Sequence, residues 1–150
     1  MTAVRVGDPA PEFKAAGTGD RLYSLGDYRG QPVVLVFYPG DATPVCTAQL
    51  SSYNEGLGRL QQLDAAVLAI SPQDVESHEK FRSDHGFEFP LLYDEDKHIA
   101  GAYDVLGPLG FYRRSVFIVD GEGVLRYVNR GMAGLSYPSI DDITAALQEF

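Results

Sequence analysis

The hydrophobic positions of this chain follow two rhythms. The first is unbroken. Val33-Val34-Leu35-Val36-Phe37-Tyr38 has no polar interruption and is rich in β-branched and aromatic residues. That is the pattern of a strand covered on both faces, predicted over 32–38. Ala65 to Ile70 and the shorter Pro90 to Tyr93 read the same way. The second rhythm is helical. Pro39-Gly40 stops the first strand, and Cys46, Leu50, Tyr53, Leu57 and Leu60 then recur every three or four residues. They predict one helix running to Leu60, with Thr43 as N-cap and Pro44 at the first helical position, where no N–H is needed.

Other elements follow from the same reading. Pro9 and Pro11 keep residues 5–13 extended, and Gly17-Thr18-Gly19-Asp20 predicts a turn into a short strand around Arg21 to Ser24. Residues 24–30 predict a helical turn. Ser71-Pro72-Gln73-Asp74 predicts a helix start, with Ser71 as cap and Pro72 at the first position, continuing to about Asp84 with Val75 and Phe81 facing inward. A short helix is expected around Lys97 to Tyr103. Ser115 to Val119 and Val124 to Asn129 read as a hairpin joined through Asp120-Gly121-Glu122-Gly123. Ser139 with Asp142 resembles a capping box for a last helix whose stripe is Ile140, Ile143, Leu147 and Phe150. Strands alternating with helices and closing on a hairpin predict an α/β fold with a mixed sheet. No repeat or linker divides the chain, so residues 1–150 are expected to form a single domain.

Charge and composition narrow the functional classes. The formal net charge is −9. Such a surface repels nucleic acid and anionic membranes, so neither is an expected partner. No apolar run approaches membrane-spanning length, and Met1-Thr2-Ala3-Val4-Arg5 lacks a signal-peptide hydrophobic region. The cytoplasm is the expected location. The chain has one cysteine, which excludes an intrachain disulfide and a Cys-x-x-Cys motif.

That cysteine is the leading candidate for chemistry. On the predicted register Cys46 falls at N3, where the first-turn N–H groups have no intrahelical partner and the helix end carries partial positive charge. Both effects favour thiolate over thiol. The plainer alternative is a packed core cysteine, because Cys46 begins the apolar stripe of its helix. From this stretch alone the two readings stand level. Arg114 directly precedes the apolar run Ser115 to Val119, and a solvated strand-end arginine is the simpler reading from the residues alone. Arg113 would point the opposite way, towards the surface. His78, His85 and His98 are scattered, with no spacing that predicts a metal site. Asp94-Glu95-Asp96 reads as a solvated turn, since the glycine and ligand spacing of a calcium loop are absent. No glycine-rich phosphate loop is present, and no cofactor is expected.

Several segments carry a resemblance to a known family. Pro39-x-x-x-Thr43-x-x-Cys46 after a hydrophobic strand resembles the active-site signature of the peroxiredoxins. The Thr-Pro-x-Cys-Thr form resembles the bacterioferritin comigratory protein branch. Val6-Gly7-Asp8-Pro9-Ala10-Pro11-Glu12-Phe13, Ser24 to Gly30, Phe87-x-Phe89-Pro90-Leu91-Leu92-Tyr93-Asp94 and Arg114 to Asp120 also fit, in order, over nearly the whole chain. The resemblance implies a thioredoxin-like fold: a central mixed β-sheet flanked by helices, with an N-terminal β extension. It implies a thiol-dependent peroxidase acting on hydrogen peroxide or organic hydroperoxides, with Cys46 as nucleophile. Thr43 would meet the peroxide, Pro39 would shield the thiolate from water, and Arg114 would stabilise charge beside the backbone N–H groups of Val45 and Cys46.

Two positions depart from the branch. Gln49 stands where relatives often carry glutamate. Ser51 stands where many have a second, resolving cysteine, which leaves a one-cysteine variant whose sulfenic acid must be repaired by an external thiol. The implied partners are a peroxide and a thioredoxin-like protein or low-molecular-weight thiol, with the protein a monomer or homodimer. The alternatives are a redox sensor or thiol-binding protein on the same fold, and a structural domain with an inert cysteine.

Overall fold

A computed structural model of the chain describes residues 4–131 and 136–149, so Met1 to Ala3 and the Phe150 of the last predicted stripe lie outside the described residues. Seven strands form one mixed sheet: β1 Lys14–Gly17, β2 Arg21–Ser24, β3 Val33–Phe37, β4 Ala66–Ser71, β5 Leu91–Tyr93, β6 Ser115–Val119 and β7 Leu125–Arg130. Their spatial order is β2-β1-β5-β4-β3-β6-β7. The β1–β2 hairpin is the N-terminal extension at one edge. The centre is β3, which pairs parallel with β4 and antiparallel with β6. All five residues of β3 are buried, as an unbroken apolar run requires.

The pleat of β3 divides the interior in two. Val34 and Val36 face one core layer, which receives helices α1 Pro44–Glu55, α2 Leu57–Gln62, α3 Val75–His85 and α5 Ile140–Leu147 through Leu50, Leu60, Phe81 and Ile143. Val33, Leu35 and Phe37 face the other, where Phe13, Tyr103 and Phe117 pack with Ile99 of the short helix α4 His98–Ala102. Phe37, Tyr103 and Phe117 make mutual aromatic contacts at centroid separations of 5.1–5.6 Å.

Three local expectations are corrected. The helix predicted as continuous to Leu60 is interrupted at Gly56. A Cβ there would lie 2.6 Å from Ile140 Cγ1, so the close approach of α5 requires glycine where the chain bends from α1 into α2. The cap of α3 is Asp74 rather than Ser71: its carboxylate accepts from Ser77 N at 2.9 Å. Ser71 is held in the β4 ladder opposite Tyr93, so the strand runs further than the apolar pattern indicates and delays the helix. The Asp94 run is not simply a solvated turn. Asp94 is 1% exposed, accepts from the N–H groups of Ile99 and Ala100 at 2.9 and 3.0 Å, and takes a short bond from the Tyr112 hydroxyl. It ties the first turn of α4 to Tyr112 within the same core layer. The Ser139–Asp142 capping box is present as predicted.

Candidate active site

Strand β3 ends at Phe37, directly opposite Ser115 at the start of β6. Two chain segments therefore leave the same end of the sheet side by side. One runs through the loop 38–43 into α1. The other is the approach to β6, and Arg114 is its last residue. The antiparallel register brings Cys46 and Arg114 together although 68 residues separate them.

Thr43 occupies the N-cap position with extended backbone, Pro44 begins the helix and Cys46 stands at N3. Leu50 and Tyr53, at most 1% exposed, hold that face of α1 against the core. A fully buried leucine contributes about 2 kcal/mol, enough to keep a first turn pressed on the sheet. Cys46 is itself wholly buried. The core-packing reading is thus correct about where the sulfur sits and incomplete about what it meets. Arg114 Nη1 donates to Cys46 Sγ at 3.2 Å and to Gln49 Oε1 at 2.8 Å. With Arg114 only 4% exposed, the solvated strand-end reading is overturned. Arg113 is half-buried and turned elsewhere, donating from Nη2 to the Asp104 carbonyl at 2.8 Å.

Gln49 has a defined position in this arrangement. Its Oε1 accepts from Arg114, its Nε2 donates to the Tyr53 hydroxyl at 3.2 Å, and that hydroxyl donates to the Pro138 carbonyl at 2.7 Å. This relay fixes the amide and, through it, the guanidinium. Burial pushes the Tyr53 phenol above its ordinary range, so it remains a donor at physiological pH. Neutral Gln49 adds no opposing negative charge beside the sulfur. Thr43 is exposed, and its hydroxyl donates to the Gly40 carbonyl at 3.3 Å rather than accepting a cap bond. It holds the N-cap position without the side-chain bond that N-cap preference anticipates. Pro39 is half-buried at the start of the loop.

The model of the AhpC/TSA family matches residues 6–128. Peroxiredoxin Bcp of Bacillus subtilis is 35% identical over 130 residues, covering 81% of this chain and 82% of its own. The chain belongs to the AhpC/TSA family of peroxiredoxins. Among solved structures, a cysteine-to-serine variant of Xylella fastidiosa PrxQ superposes with a TM-score of 0.91 at 26% identity, covering 99% of this chain and 98% of its own. The Xanthomonas campestris bacterioferritin comigratory protein superposes with a TM-score of 0.84 at 28% identity over 91% and 90% of the two chains. That protein was studied for alkyl peroxide reduction in trapped intermediate and ligand complexes. The thioredoxin-like architecture expected from the resemblance is therefore the one present.

Two polar residues of this peroxiredoxin escaped the sequence reading. Asp41 in the loop and His78 of α3 form a pair with buried side chains, His78 Nδ1 lying 2.8 Å from Asp41 Oδ2. A signal for His78 existed: it sits midway between Val75 and Phe81, on the inward face of α3. For Asp41 the only signal is its place inside the loop. Among the described residues no group of three or more His, Cys, Asp or Glu side chains is placed to hold a metal ion, and no helix is long and apolar enough to cross a membrane.

Proposed function

We propose that Cys46 is the nucleophile with which this peroxiredoxin reduces hydrogen peroxide and organic hydroperoxides, and that an external thiol completes the cycle. The observation that carries the reading is the buried Arg114 guanidinium, 3.2 Å from the only sulfur of cysteine in the chain. A cation held there favours a thiolate and can polarise the peroxide it attacks. The Cys46 sulfur attacks one peroxide oxygen and the O–O bond breaks. The other oxygen leaves, takes a proton, and departs as water or an alcohol. Sulfur is oxidised by two electrons and retains the first oxygen as a sulfenic acid. Thr43 and the first-turn N–H groups of Val45 and Cys46 supply the remaining donors, and Pro39 screens the sulfur from water.

Ser51 makes the second half-reaction intermolecular. The sulfur of an external thiol attacks Cys46 Sγ, a mixed disulfide forms and water leaves. A second thiol, on the same or another molecule, attacks the external sulfur. The reductant leaves as a disulfide and the Cys46 thiol is regenerated. A thioredoxin-like protein or a low-molecular-weight thiol has the required chemistry. Organic hydroperoxides are included because of the alkyl peroxide reduction studied in the Xanthomonas relative. The whole chain works as one peroxiredoxin domain, as a monomer or homodimer, in the cytoplasm, where such thiols are kept reduced.

The test is steady-state peroxide consumption with added thiol. The native protein should turn over many times and Cys46→Ser should not turn over at all, with an unchanged far-ultraviolet circular dichroism spectrum. Thiol-dependent turnover in pure Cys46→Ser protein would exclude the assignment. A single stoichiometric oxidation without cycling would identify a sensor instead.

A further inference from the structure

Cys46 stands in the first turn of α1, directly after the loop 38–43, and its side chain is wholly buried. On the reading above, two reagents of different size must reach that sulfur. A peroxide is small. A thiol arrives on a carbon chain or on another protein and must align with the S–O bond it displaces, so reduction needs the covering turn to move further than oxidation does. What holds the loop down therefore bears on both half-reactions in opposite senses.

Asp41 fastens the loop to its neighbours through several bonds. Asp41 N donates to Gln73 Oε1 at 2.8 Å. Its carboxylate accepts from the Tyr38 hydroxyl at 2.7 Å and from the Ser77 hydroxyl at 2.6 Å, and meets His78 Nδ1 at 2.8 Å. Gln73, Ser77 and His78 belong to α3 and its approach, so these bonds fasten the loop to a neighbouring helix. The residue between Asp41 and Thr43 is strained: Ala42 has φ of +61°, a left-handed conformation that costs a residue with a Cβ about 1–2 kcal/mol. Such a conformation persists only where its surroundings over-determine it. When the Asp41 bonds are broken, Ala42 has no reason to stay.

His78 shows what kind of fastening this is. Its Nδ1 faces a carboxylate and its Nε2 faces the Leu92 carbonyl at 2.9 Å. Both partners are acceptors. A neutral imidazole has one N–H and would turn a lone pair towards one of those oxygens; only the imidazolium donates to both. The groups around the ring are Asp41 from the loop, Tyr38 from the end of β3, the Leu92 carbonyl of β5 and Ser77 of its own helix. Lys80 and Asp84 pair with each other on the exposed side of α3. Burial pushes the Asp41 carboxyl up, but the hydrogen bond and charge of His78 and the hydroxyls of Ser77 and Tyr38 outweigh it and leave Asp41 below the usual carboxylate range.

We propose that Asp41 and His78 are positioning residues that form an ionic clasp, holding the loop over Cys46 and setting the balance between oxidation by peroxide and reduction by thiol. Neither touches the reacting atoms. Closed, the clasp keeps Thr43 and the first turn in place for peroxide; opened, it exposes the sulfenic sulfur.

The test separates the two half-reactions. Quenched-flow mass spectrometry of intact protein follows sulfenic acid formation with hydrogen peroxide, then its loss on adding a small thiol, for the native chain, Asp41→Asn and His78→Gln. Hydrogen exchange of residues 40–48 is measured on the same proteins. Losing one charge-assisted bond should slow oxidation and speed reduction, each by about tenfold, and should raise exchange in 40–48. Two rates that stay unchanged, or fall together, overturn the clasp. A native protein that never forms a sulfenic acid at Cys46 overturns instead the peroxidase reading on which the clasp rests. A second measurement does not depend on the variants folding. Nitrogen NMR of the native protein should show both His78 ring nitrogens acting as hydrogen-bond donors, as their two acceptor partners require, and a ring nitrogen without a proton refutes the ionic clasp.

Discussion

Removing the guanidinium at position 114 is the sharpest perturbation of this site. In Arg114→Ala the sulfur loses a donor 3.2 Å away. At an effective dielectric constant of about 20, a cation and a thiolate at that separation attract by about 5 kcal/mol. Only part of this reaches the rate, because the same cation stabilises the thiolate before reaction. The part that grows as charge moves onto the peroxide oxygens resembles the loss of one donor from an oxyanion site, about 10²–10³ in rate. The second-order rate constant for oxidation by peroxide should therefore fall by about two to three orders of magnitude. The assay is quenched-flow mass spectrometry of sulfenic acid formation under a peroxide excess small enough to avoid further oxidation. Arg114→Lys provides a control, because it keeps the charge on a more flexible stem and gives up the planar donor set that reaches both Cys46 and Gln49, so its loss should be intermediate. The alanine variant also leaves the buried Gln49 Oε1 without this donor, and should lose about 1–3 kcal/mol in urea unfolding. If Arg114→Ala oxidised within about threefold of the native protein, the arginine would be a structural neighbour of the thiol and the charge argument would be wrong.

Other outcomes are expected. Thr43→Val should slow oxidation by removing a donor near the peroxide, yet change the melting temperature little, because the native hydroxyl bonds the Gly40 carbonyl and makes no cap bond. Native protein given excess peroxide without thiol should pass from sulfenic to sulfinic acid and lose activity, while added thiol protects it; a persistent sulfenic acid in intact-mass spectra would contradict this, and a covalent dimer through Cys46 would show a second subunit acting as resolving partner. Ser51→Cys should rescue poorly, since the two residues share helix α1 and the spacing at that separation exceeds the reach of a relaxed disulfide. The lowered Asp41 carboxyl sets a pH dependence. Its stabilisation is complete above the ordinary carboxylate range and is lost as pH falls through its lowered folded value, so the urea midpoints of native protein and Asp41→Asn should converge in acid.

The elements that the sequence made legible are those whose signal is local. β3 is an apolar run that no other structure explains as well, and Ser139 with Asp142 specify a helix start within four residues of each other. The features it hid depend on distant partners. Nothing near Gly56 announces a break, because the apolar stripe continues across it and the cause is Ile140 on another helix. Asp94 and His78 looked like ordinary polar positions. Their burial rests on Tyr112 and the Leu92 carbonyl, which local spacing does not pair with them. Arg114 shows the same limit within the site. Its residue type and neighbours favoured solvent, and only the resemblance pointed to the thiol that the sheet register brings beside it. Thr43 shows the converse: its position as cap was legible, but the direction of its hydroxyl was not.

The antiparallel pairing of β3 with β6 has a consequence for when the protein becomes reactive. Cys46 and its helix are made early in synthesis, but the arginine that meets the sulfur lies 68 residues further along. The Pro138 carbonyl that anchors the Tyr53–Gln49 relay lies later still. A growing chain therefore presents Cys46 without its neighbouring cation until most of the polypeptide has been made and β6 has added to the sheet. On the roles proposed for Cys46 and Arg114, susceptibility to peroxide is acquired with long-range folding, and the rate of sulfenic acid formation then serves as a clock for the closing of the sheet.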